Sequence, residues 1–94
     1  MTPTTIERIL RLHTERYLDH GHYVVSEDHA RRLNHGVLPR HGAEALVELE
    51  GVYCWLTTTT DRGLAVWTVT HAPDWKLERG KMVRPWTVAG WRMA

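Results

Sequence analysis

With 94 residues, a formal net charge of +1 and a single cysteine, the chain is sized for one domain that buries roughly 60–65% of its unfolded surface without metal or disulfide staples. The near-neutral balance argues against a strong polyelectrolyte attraction to nucleic acid and equally against an acidic mimic of DNA. Cys54 lies inside the apolar run 52–56, which suits a reducing compartment, and there is neither a basic-then-apolar leader nor a run of roughly 20 apolar residues. A cytoplasmic location with no membrane partner is expected.

Thr4-Thr5-Ile6-Glu7 has the form of a capping box, so a helix is expected to start there. Ile6, Ile9, Leu10, His13 and Tyr17 recur at three- and four-residue spacing, which carries that helix over about 4–20 towards a stop at Gly21. A short β-like segment, 22–25, precedes Ser26-Glu27-Asp28, a second N-cap with acids where the helix dipole favours them. Arg31 and Arg32 close this second helix, about 26–34, at its negative end. The segment 43–50 combines strong helix formers and a stop at Gly51 with a partial strand-like alternation. A third helix over about 42–50 is the favoured expectation.

From Val52 onward the pattern is β. The runs 52–57 and 64–70 are rich in β-branched and aromatic residues around Thr60-Asp61-Arg62-Gly63, which predicts a hairpin over 52–59 and 64–71. If Thr60 pairs with Gly63, Val52, Cys54 and Leu56 share a face with Ala65, Trp67 and Val69. Tyr53, Trp55 and Thr57 then share the other with Val66, Thr68 and Thr70. A three-residue loop with a bulge at Gly63 would instead exchange the faces of the second strand. The first face is assigned to the core, and the second is expected to be an aromatic and threonine surface beyond the reach of the helices. Beyond 74, Pro85 limits the 81–89 run to an edge strand or two broken strands. The resulting class is α+β, with N-terminal helices on a C-terminal antiparallel sheet.

The residues that could carry chemistry have simpler roles. His13, His20 and His22 with Asp19 and Asp28 form no fixed ligand spacing, so no metal is assigned. Cys54 and His71 are the one nucleophile–base candidate, but a mid-strand thiol beside Val and Leu lacks the exposed, electropositive setting that favours thiolate. Ser26 is accounted for as a cap. No phosphate loop or dinucleotide fingerprint occurs, so no cofactor is assigned and no enzymatic activity is expected.

Charge and aromatics are segregated. Residues 41–61 hold Glu44, Glu48, Glu50 and Asp61 without Lys or Arg, whereas 62–94 hold six basic residues against Asp74 and Glu78. There are five Trp and no Phe, so Trp67 and one tail Trp are expected in the core. The scarcity of Lys beside Arg suggests a GC-rich coding sequence, as in a high-GC bacterium or its phages. Tryptophan, tyrosine and arginine dominate protein-binding hot spots. Tyr53, Trp55, Arg84, Trp86, Trp91 and Arg92 are therefore the candidate partner-facing residues of a protein-binding module or inhibitor, directed at a host factor or at a second copy of the chain.

With a third helix, the order helix, short strand, helix, helix, hairpin over residues 4–71 is similar to that of a winged helix-turn-helix domain. The resemblance implies a DNA-binding regulator, with Arg40, His41, Arg62, Lys76, Arg79 and Lys81 as the candidate nucleic-acid contacts. Its third helix, however, would present Glu44, Glu48 and Glu50 to phosphates.

Overall fold

The computed structural model describes residues 5–73 in full and, of the tail, the backbone of 76–78 and 81–83. In chain order the elements are α1 (Thr5–His13), β1 (Arg16–Asp19), β2 (His22–Val25), α2 (Glu27–Leu33), β3 (Glu44–Leu49), β4 (Val52–Asp61), β5 (Leu64–His71), β6 (Lys76–Glu78) and β7 (Lys81–Val83). The two helices pack on a five-stranded antiparallel sheet of order β1-β2-β5-β4-β3, and β6–β7 form a separate ribbon. This is the expected α+β class, with helices ahead of the main hairpin.

The first helix is shorter than its periodicity predicts. Thr14 Oγ1 donates to the Leu10 carbonyl at 2.6 Å, and the next amide, Glu15, already donates to Val24 of the sheet at 2.7 Å. Helical bonding therefore gives way to strand pairing, and Tyr17 stacks edge-on against its cross-strand partner Tyr23 instead of extending the helical stripe. Gly21 is not a helix stop. With His20 it forms a left-handed two-residue turn between β1 and β2. The second helix follows expectation: Ser26 Oγ accepts the His29 amide at 3.1 Å, and Arg31 and Arg32 pair with Glu27 and Asp28 one turn back.

The expected third helix is a strand. Residues 44–49 pair with β4 in uninterrupted register from Glu44↔Thr57 to Leu49↔Val52. Ala45, Val47 and Leu49 enter the core side while Glu44 and Glu48 stay exposed, so the period-2 pattern outweighs helix propensity once β4 is there to pair with. The acidic segment is thus one edge of the sheet, and the winged-helix element order is not realised.

The β4–β5 hairpin closes on Asp61↔Leu64 around Arg62-Gly63, both with positive φ. This register lies two residues from the Thr60–Gly63 pairing, an even shift that preserves faces. Cys54, Leu56, Val69 and Trp67 accordingly share the helix-covered side, with Leu56, Cys54 and Val69 fully buried and half-buried Trp67 packed against them. The three-residue-loop alternative does not occur.

The opposite side is less open than expected. Thr68 and Val24 are 0% and 5% exposed, and Tyr53 is 7% exposed beside the more deeply buried Ala72, whose amide donates to the Tyr53 carbonyl. Sheet coiling is part of the reason. Arg16 of β1 reaches Asp61 at the tip of β4 at 2.8 Å, although β2 and β5 lie between these strands. Three flat strand spacings alone would separate them by about 14 Å, so the sheet wraps this face inward and shelters its centre.

Candidate interaction surface

The sheet has two edges, and they are built differently. The β1 edge is four residues long, its register breaks between Tyr17 and Asp19, and Arg16 is tied to Asp61. Shortness and irregularity are common ways of closing an edge to further pairing. The β3 edge is six residues long and regular, and among the described residues no strand pairs with its outer side.

The turn between β3 and β4 determines which groups β3 presents. Glu50 and Gly51 have φ of 48° and 85°, a two-residue left-handed turn whose closing pair is hydrogen-bonded. Leu49, Val47 and Ala45 therefore spend their backbone groups on β4, and Glu44, Leu46 and Glu48 direct amide and carbonyl outward. The same alternation on the next hairpin ends in the observed Ala72-to-Tyr53 bond of 2.9 Å. On the side facing away from the helices, half-buried Leu46 lies opposite half-buried Trp55, flanked by exposed Glu44 and Glu48. One Glu48 oxygen accepts the Gly51 amide at 3.0 Å, and Glu50 pairs with His13 of α1 at 2.5 Å. The edge is thus an apolar strip between carboxylates, beside open backbone hydrogen-bonding groups.

A concavity of about 380 Å³ lies on this edge, where Leu46, Val47, Glu48 and Tyr53 meet Arg32, Leu33 and His35 at the end of α2, and two larger clefts also open on the domain. A cleft of about 520 Å³ between α1 and the β1–β2 hairpin is lined by Ile6, Leu10, Tyr17, Tyr23 and His71. Thr70 also borders it, and its buried hydroxyl has no hydrogen-bond partner among the described residues. A more polar cleft of about 450 Å³ runs under the coiled face between His22, Asp19 and Glu44 and the threonines 57–60.

Of the residues singled out from sequence, Tyr53 is buried, which removes its ring from the surface, and Trp55 is half-buried beside Leu46. Arg84, Trp86, Trp91, Arg92 and Arg79 lie outside the described residues, as do the side chains of Lys76 and Lys81. Arg40, His41 and Arg62 are exposed, with His41 3.4 Å from Thr60 near the β4 tip, but among the described residues no recognition helix stands beside them. Leu46 was overlooked because a helical 43–50 made it an ordinary apolar position; strict alternation with Glu44 and Glu48 was the signal available.

Cys54 and His71 are direct cross-strand partners. Burial pushes the Cys54 thiol up to about 12 and lowers His71 below its usual range. The thiol donates to the Val52 carbonyl at 3.7 Å and is fully enclosed, so it remains protonated at neutral pH and has no route to a substrate. His13 meets His29 with ring centroids 6.3 Å apart and Glu50 beyond, but among the described residues no three His, Cys, Asp or Glu side chains gather in a metal-holding group. No helix of the described residues is long and apolar enough to cross a membrane. No protein family, curated protein or solved structure matches the chain.

Proposed function

We propose that the chain is a small non-enzymatic protein-binding module, suited to inhibition because it occupies a partner without chemistry, and that its contact surface is the β3 edge with the Leu46–Trp55 strip. The observation that carries this reading is the regular six-residue β3 edge, left without a pairing strand among the described residues, beside two half-buried apolar side chains. An uncapped regular edge is a standing template for another chain, and proteins that do not use such an edge commonly break it. The enclosed, protonated Cys54 further supports a role without catalysis.

The test is site-specific photocrosslinking in cells of the source organism. A photoreactive residue at position 46 is expected to give a discrete protein adduct, whereas the same group at Leu12, 76% exposed on α1, gives none. Absence of any adduct from position 46, or the same smear from both positions, overturns the proposal. Circular dichroism of each variant confirms that the fold is retained.

A further inference from the structure

We infer that the β3 edge receives an extended basic segment of another protein, of the pattern basic–x–apolar–x–basic, as an added sheet strand. The inference rests on the protein-binding reading above and specifies the partner's chemistry. Glu44, Leu46 and Glu48 are the residues whose backbone groups point outward, and their side chains share one face. Alternate residues of a strand lie about 6.8 Å apart, so a segment bonded to this edge sets its own alternate side chains directly against those three. Opposite charges across a strand pair stabilise it and like charges destabilise it, which calls for Arg or Lys against each glutamate and an apolar residue against Leu46. The pattern is palindromic, so parallel and antiparallel docking satisfy it equally.

The same charges disfavour a second copy of this chain as the occupant. A symmetric β3–β3 pairing centred on Leu46 brings Glu44 of one copy opposite Glu48 of the other, repelling at both ends. Glu50 adds no matching site, because His13 already engages it. Trp55, next to Leu46 on the same side but one strand further in, continues the apolar strip inward from the contact with the incoming central residue.

The experiment uses the full chain and a fluorescent heptapeptide, Thr-Arg-Thr-Val-Thr-Arg-Thr, followed by anisotropy. Saturable binding that weakens with salt is expected, with none for the counterpart carrying Glu in place of Arg. Two methylated peptides are needed, one blocked at the Arg and Val amides, which face β3 in antiparallel docking, and one at the inner Thr amides, which face it in parallel docking; one of the two should lose binding with its charges intact. The double variant Glu44→Lys, Glu48→Lys should bind the basic peptide about tenfold more weakly or worse and acquire affinity for the acidic one.

Binding that survives both methylations, or is indifferent to the charge reversal, overturns strand addition. Failure of the basic peptide to bind while position 46 still crosslinks a discrete protein sinks this inference alone and leaves the protein-binding reading standing. Sedimentation that reveals a dimer broken by the double variant would assign the edge to a second copy instead.

Discussion

Cys54 and Leu56 are fully buried at the centre of the helix-covered face, and each makes a separate demand on the chain. Truncating Leu56→Ala leaves a cavity the sheet cannot close, and a loss of about 2–5 kcal/mol is expected by denaturant titration. The Cys54 thiol, held near 12 by burial, should resist a thiol-specific reagent in the native protein and react at once in denaturant. Rapid stoichiometric labelling under native conditions would contradict its enclosure. His71 and His29 are both lowered from their ordinary 6.5, chiefly by burial, with Arg32 and His13 adding repulsion at His29. A lowered folded-state value means the unfolded chain takes up the proton first. Each histidine therefore costs nothing well above pH 6.5, and its penalty grows as pH falls through that value towards the folded-state one. The His71→Gln variant should accordingly lose less melting temperature than the parent between about pH 7.5 and 5.5; an equal or steeper loss would refute the assignment.

At the level of elements, the hairpins share a device. His20-Gly21, Glu50-Gly51 and Arg62-Gly63 each place two successive residues at positive φ between antiparallel strands. Such turns match the natural twist of the strands they join. The last hairpin was legible in the sequence, since alternating β-branched and aromatic runs flank it on both sides, although its turn falls one residue beyond the Asp61-Arg62 step that a Thr60–Gly63 pairing implies. The first two were not, for a physical reason. A residue–Gly step after helix formers satisfies a helix C-terminus and a two-residue turn alike, because both need a left-handed backbone at glycine. Only the partner strand decides, and for 44–49 that partner is β4 itself. The β3 edge, and with it the relevance of Leu46, was therefore hidden until the pairing was known, whereas the capped second helix and the two faces of the main hairpin were legible from local pattern. A Cβ added at Gly51 meets nothing within 4 Å, so the cost of Gly51→Ala is one of backbone conformation alone. About 1 kcal/mol of destabilisation is expected by thermal melting, with the fold unchanged.

Across the whole molecule, three of the four junctions in the main sheet join neighbours in sequence: β1–β2, β4–β5 and β3–β4. The remaining one, β2–β5, brings Tyr23 against Val69 and Val25 against Trp67. The Arg16–Asp61 pair fastens the same two halves from the coiled side. Half-exposed as Arg16 is, a double-mutant cycle on this pair should return about 0.2–1 kcal/mol.

The strand order has a further consequence. Residues 5–33 and 44–72 are two pieces, the first with the β1–β2 hairpin and the second with the β3–β4 and β4–β5 hairpins, which share one core and are joined by a loop that carries exposed Arg40. The loop meets the sheet through the Pro39–Thr58 bond, the His41–Thr58 bridge and the His41–Thr60 contact, and it sets Leu38 against the core. Opening the backbone after Arg40 should thus give two fragments that co-elute as one folded particle and part only in denaturant, and two separately expressed halves should find each other through the β2–β5 seam. The chain would then behave as a complementation pair that happens to be synthesised in one piece, with the seam as its slowest-forming contact.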